Sequence, residues 1–297
     1  MSNLKEKLTA IERVKLTKHS LNFIPDDSLV REIYLNKLIP MLIDLDCYIS
    51  SVKESLGDSF YELYPTNTPK ETNKLNKTLV TKYNNLKDGL ISLFDSLNLY
   101  KTDFLILIIE KYILLAKTTN LQFIIFELLK KSPKKILNFF FKKLKEKKYF
   151  SFYVSFFLGI IVRFNLIKEL EIKSINLFMN YLFEYFNIEN NYSLNVPLIK
   201  KNEIRFIHLC QLFVYLCCFK KEIFYENDLL VKKIIKSGVL KKMNKKVALK
   251  FISEFKLGIK LVSSYEYNSV FEFFPFDPPS VYEIKERIED CYVNISE

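Results

Sequence analysis

Apolar positions recur at helical spacing through most of the chain, as in Leu35, Leu38, Ile39 and Leu42, and again in Phe178, Tyr181, Leu182 and Tyr185. Steps of three and four place such residues on one face of a helix, and the alternation of a half-buried strand is not sustained anywhere. Punctuation falls between these stretches: Pro65 and Pro69 in a polar segment, Ser132-Pro133, a loop with Asn190, Asn191 and Pro197, and Gly238. The pattern predicts helices at roughly 28–53, 71–98, 101–116, 119–131, 133–147, 149–166, 170–187, 202–220, 228–237, 244–264 and 279–291. Short connections make these antiparallel pairs, with a pair spacing of about 35 to 45 residues that matches a HEAT-type unit although no repeated motif accompanies it. The expected fold is all-α, a HEAT-like helical-repeat α-solenoid. It forms a single domain over 1–297, with a polar loop near 54–72 and a C-terminal clamp and helix at 273–293.

Several helix starts follow from local chemistry. Ser132 before Pro133 places a hydroxyl at N-cap and a preset φ at the first helical position, and Ser280 with Glu283 has capping-box spacing. Ser132 also stands between Lys130-Lys131 and Pro133-Lys134-Lys135, which makes it a candidate proline-directed phosphorylation site. The cap is the preferred reading, because the hydroxyl satisfies an otherwise unpaired N–H. The most distinctive local sequence is Phe273-Phe274-Pro275-Phe276-Asp277-Pro278. There Pro275 biases Phe274 toward an extended backbone, Asp277 or Ser280 caps a helical turn, and the rings clamp the last helix onto the repeats.

Composition narrows the function classes. With 49% hydrophobic residues a continuous core is available, and five glycines and nine prolines leave no glycine-rich loop to cradle a phosphate. The formal charge of +11 ordinarily suggests an acidic partner, yet Lys, Asn, Ile, Phe and Tyr are abundant together while Trp is absent, as A/T-rich coding produces. Met1 to Ser20 has no continuous apolar stretch, so no signal peptide is expected and the protein is placed inside the cell. Tyr149 to Val162 is uncharged but shorter than the roughly 20 residues that span a bilayer, and Phe104 to Ala116 is broken by Glu110 and Lys111. No membrane partner is expected.

Candidate chemistry is sparse. Cys47, Cys210, Cys217, Cys218 and Cys291 form no Cys-x-x-Cys pair, and His19 and His208 are the only histidines, so neither a zinc site nor a His-activated nucleophile is indicated. His208 and Cys210 are two apart on a helix and point about 200° from each other, as do Asp44 and Asp46, which removes both as cooperating pairs. Walker A, Gly-x-Gly-x-x-Gly, His-Glu-x-x-His and Gly-x-Ser-x-Gly motifs are all absent from the sequence. The expectation is a binding protein with no catalytic residue, no cofactor, no metal and no small-molecule substrate. Lys142, Lys143, Lys145, Lys147 and Lys148 read first as a solvated helix end favoured by the helix dipole, and second as a contact for an acidic partner.

The Phe274-Pro275-Phe276-Asp277-Pro278 element resembles the C-terminal signature of the RNA polymerase I-specific initiation factor family, called TIF-IA in animals. Ile288 to Val293 resembles the closing helix of that family without its usual tryptophan. Phe206-Ile207-His208-Leu209-Cys210-Gln211, with Tyr215 and Phe219-Lys220, is similar to the family helix that carries Cys-Gln, and Leu42-Ile43-Asp44-Leu45-Asp46 to its Leu-Val-Asp-Leu-Asp stretch. Tyr153 to Phe156 followed by Arg163-Phe164 resembles a further family helix with the spacing altered by about one turn. These pieces occur in family order over roughly 35–293. The chain is about half the family's usual length, and Ser50 to Thr72 is not the acidic loop found there.

The resemblance implies a HEAT-repeat factor of the nucleus and nucleolus. Its partners would be RNA polymerase I subunits and promoter-bound initiation factors at ribosomal RNA genes. Leu45, Asp46, Cys210, Gln211, Phe274, Pro275, Phe276, Asp277 and Pro278 carry the family signature and read as structural. The alternative is a helical-repeat RNA-binding protein, or a general interaction scaffold, that uses its lysines and aromatics on phosphate and bases.

Overall fold

The structure is a computed structural model and describes residues 28–56, 74–97, 101–114, 118–144, 150–186, 203–258, 275–276 and 281–293. It is helical through most of these residues, and no strand occurs among them. Contacts divide the chain into two compact units, Met1–Phe139 with Phe276–Tyr292, and Phe140–Pro275 with Val293–Glu297. The sequence alone reads as one domain; the division falls inside a helix, where periodicity leaves no mark.

In the first unit α1 (Ser28–Leu56) packs against α2 (Lys74–Ser96). Leu35, Leu38, Ile39, Leu42 and Ile49 form the buried stripe that the spacing predicts. The two helices approach closely at Gly89, where an added Cβ would lie 2.5 Å from Leu42 Cδ2, so a larger residue would displace a core side chain. Next comes α3 (Thr102–Ile108), which continues as a π-helical turn over Ile109–Ile113. A 3₁₀ turn at Leu121–Phe123 leads into α4 (Ile124–Lys131), and α5 (Pro133–Leu144) follows, with its residues up to Phe139 in this unit and those from Phe140 in the second. The unit is completed by the returning C-terminal segment and its helix α12 (Tyr282–Ile288), which packs on α2.

The second unit contains α6 (Phe150–Arg163), α7 (Lys168–Phe186), α8 (Glu203–Phe219), α9 (Lys221–Glu226), α10 (Asp228–Lys236) and α11 (Lys245–Glu254), with a 3₁₀ turn at Val239–Lys242. Helix α8 is its centre and packs on α6, α9 and α11. Phe156 and Phe157 are fully buried there, as the uncharged run at Tyr149 to Val162 leads one to expect, and so are Phe178 and Phe213 on the helices beside it. No described helix is long and apolar enough to cross a membrane.

Three local expectations are corrected. Helix α9 and the 3₁₀ turn are not foreseen, since each is too short to show a period. The helix expected over 244–264 ends at Glu254, where Lys256 (φ 49°) and Gly258 (φ 64°) take left-handed backbone and terminate it. Before α5, Lys135 N and Ile136 N donate to the carbonyl of Ser132, and no hydrogen bond from that turn to the Ser132 hydroxyl is found among the described residues. The N–H expected to bond the hydroxyl, Lys135 N, bonds the Ser132 carbonyl instead. Ser280 lies outside the described residues, and Val281 holds the N-cap position of α12 without a side-chain bond.

Candidate functional site

Asp46 follows Leu42 by four residues and precedes Ile49 by three, so the helical repeat carries it into the apolar stripe of α1. It is fully buried, whereas Asp44, on the other side of the helix, is exposed. A buried carboxylate needs donors, and three N–H groups supply them. Oδ2 accepts from Asn120 N and Leu121 N, both at 2.8 Å, and Oδ1 accepts from Asn120 Nδ2 at 2.7 Å. The 3₁₀ turn at Leu121–Phe123 has no cap from its own residues, so Asp46 caps it from another helix. Burial pushes the Asp46 carboxyl above its ordinary range, against the pull of these donors.

The same short stretch then holds the C-terminal segment. Asn120 Oδ1 accepts from Val281 N at 2.9 Å, and Gln122 Oε1 accepts from Phe276 N at 2.9 Å while its Nε2 donates to Thr119 O at 3.0 Å. Tyr292 Oη donates to Phe276 O at 2.9 Å, so side chains satisfy both backbone groups of Phe276. Its ring is fully buried against Phe126 (centroids 4.6 Å) and Phe123 (5.7 Å), with the Tyr292 ring 5.9 Å from Phe123. Phe276 adopts φ 67°, a left-handed conformation that costs a non-glycine residue about 1–2 kcal/mol and is held only because ring and hydrogen bonds outweigh it.

Ion pairs rim this anchor. Lys130 Nζ lies 2.9 Å from Asp290 and donates to the Arg287 carbonyl at 2.7 Å, Arg287 pairs with Asp95, and Lys87 lies 3.5 Å from Glu283. The Lys130 ammonium holds the Asp290 carboxyl below its ordinary value. These pairs are solvent-facing and contribute at most about 1 kcal/mol each, so the buried relay and the aromatic cluster dominate the anchoring.

In the second unit His208 Nε2 lies 3.0 Å from Ser155 Oγ, and both groups are buried. Cys210 is fully buried on α8, and burial pushes its thiol far above the ordinary range; the same cause raises Cys218 to about 12 and, in the first unit, Cys291 to about 12. Burial thus disfavours the thiolate form at these three positions. No cluster of three His, Cys, Asp or Glu side chains suited to a metal occurs among the described residues. Gln211, 1% exposed, accepts from Asn244 N at 2.6 Å and so ties α8 to the start of α11. Gln211→Ala is expected to lower stability by about 1–3 kcal/mol, the cost of a lost buried acceptor, as read from thermal melts.

Of the other residues singled out from sequence, Leu45 and Pro275 are buried, Lys142 is exposed, and Lys143 is half-buried with its Nζ 5.9 Å from the Tyr153 ring centroid. Ser132 is half-buried. Phe274, Asp277, Pro278, Lys145, Lys147 and Lys148 lie outside the described residues. The structure thus joins Asp46 to Phe276 and leaves Cys210 and Gln211 in a separate unit. Asn120 and Gln122, the joining residues, are missed from sequence; the only available signal is two amides flanking an apolar position just before an apolar helix. Comparison with protein-family models finds no match, and none is found among curated proteins either.

Proposed function

We propose that this chain is a HEAT-like α-solenoid that acts, without catalysis, as an RNA polymerase I initiation factor, binding the polymerase and bridging it to promoter-bound factors at ribosomal RNA genes in the nucleolus. One observation supports the reading above the others. Asp46 and Phe276, which belong to two separate stretches that carry the family resemblance, converge on the three residues Asn120 to Gln122. Such residues have a structural reason to persist in a scaffold, since they fasten its ends without touching a substrate. Stacked helices suit recruitment, because a continuous core keeps a long exposed face in fixed register.

Affinity purification of the tagged full chain from its own cells, followed by identification of the bound subunits, tests the proposal. Recovery of RNA polymerase I subunits is expected. Recovery of ribonucleoproteins without polymerase would move the assignment to the RNA-binding alternative.

A further inference from the structure

Between Leu229 and Ser253 the chain carries eight lysines and no Asp or Glu, although 34 acidic residues in 297 would place about three in such a stretch. Asp228 and Glu254 bound the stretch, and A/T-rich coding raises lysine without removing the carboxylates between them. The lysines crowd the corner between α10 and α11. Lys236 ends α10, Lys241 and Lys242 lie on the 3₁₀ turn, and Lys245 and Lys246 open α11, all five exposed within eleven residues. The first turn of α11 holds no acidic residue, so two cations stand at the positive pole of that helix, an arrangement unfavourable to the isolated fold.

Elsewhere Lys130 pairs with Asp290 and Lys135 with Asp103 at 2.7 Å, and within the stretch Lys232 pairs with Asp228. Among the described residues no carboxylate lies within 4.0 Å of Lys236, Lys241, Lys245 or Lys246. The corner beneath them is firmly built. Gly238 turns the chain at φ 71°, Ser237 Oγ accepts from Val239 N at 3.3 Å, Asn244 Oδ1 accepts from Lys246 N at 2.9 Å, and Gln211 holds Asn244 N. Val239, Leu240 and Met243 are buried under it. The charges are thus presented on a packed base, which lowers the ordering cost of binding.

The chemistry favours carboxylates over nucleic acid. The stretch has no arginine to fork onto phosphate, and its one aromatic, Phe251, is 1% exposed and offers no platform for a base. Leu229 and Leu249, by contrast, are exposed on the two flanking helices. We infer that the corner from Lys236 to Lys246 is a docking site for an acidic protein segment that carries apolar residues among its carboxylates. The inference rests on these lysines and is independent of the polymerase reading.

The test is fluorescence anisotropy of the full chain with a labelled Glu-rich peptide containing leucine, and in parallel with single-stranded RNA of equal charge. Replacing Lys241, Lys242, Lys245 and Lys246 together by Ala is expected to weaken peptide binding by about tenfold or more, while replacing exposed Lys101, Lys134, Lys168 and Lys173 changes it by less than about threefold. Added salt is expected to weaken the parent's binding. Far-UV circular dichroism checks that the corner variant folds, and a milder Lys241→Gln, Lys245→Gln pair serves if it does not. The inference is overturned if the parent fails to bind the peptide, if both quadruple variants lose equally, or if RNA binds more tightly and is lost on the same corner substitutions.

Discussion

Phe276→Ala is expected to lower the unfolding free energy by about 3–5 kcal/mol, the range for truncating a buried phenylalanine. The ring is fully enclosed by Phe123 and Phe126, so its removal opens a cavity at the point where the C-terminal segment meets the first unit. Alanine keeps the left-handed backbone penalty, because it still carries a Cβ, and the residue then loses the burial that outweighed that penalty. Asp277→Ala, the loss of a cap at most, is expected to cost about 1 kcal/mol. Urea unfolding of both variants measures the difference. Equal midpoints would show that the aromatic anchor contributes little, and variants that melt like the parent yet lose partner binding would make the motif a contact surface.

Asp46→Ala is expected to cost about 3 kcal/mol or more, since it strands three N–H donors in a site without water access, each worth about 1–3 kcal/mol. Relief from burying a carboxylate offsets part of this sum. Asp44→Ala is the internal control: two residues away and exposed, it is expected to stay within about 0.5 kcal/mol of the parent. Because Asn120 also holds Val281 N, the Asp46 variant is further expected to loosen α12, seen as faster amide exchange over Tyr282–Ile288. Identical melts for the two aspartate variants would contradict the capping role.

Helices with a long apolar stripe are legible in the sequence, and α1, α6 and α8 are located from the spacing of residues such as Leu35, Leu38 and Leu42 because burial selects that spacing directly. Elements shorter than two turns are not, since α9 and the 3₁₀ turn at Val239–Lys242 show too few positions to define a period. The opposed faces of Asp44 and Asp46 follow from helical geometry alone. What Asp46 faces does not, because its partners lie 74 and 75 residues away and no local rule links them. The clamp at Phe276 is visible as an odd Phe-Pro-Phe-Asp-Pro stretch, while its left-handed backbone depends on Gln122 and Tyr292, which are separated from it in sequence.

The polymerase assignment is tested most directly with purified components. The full chain is mixed with purified RNA polymerase I and, separately, with purified RNA polymerase II, and each mixture is resolved by size-exclusion chromatography. Co-elution with polymerase I alone is the expected result. Elution apart from polymerase I, by a chain whose melt shows it folded, would contradict the account.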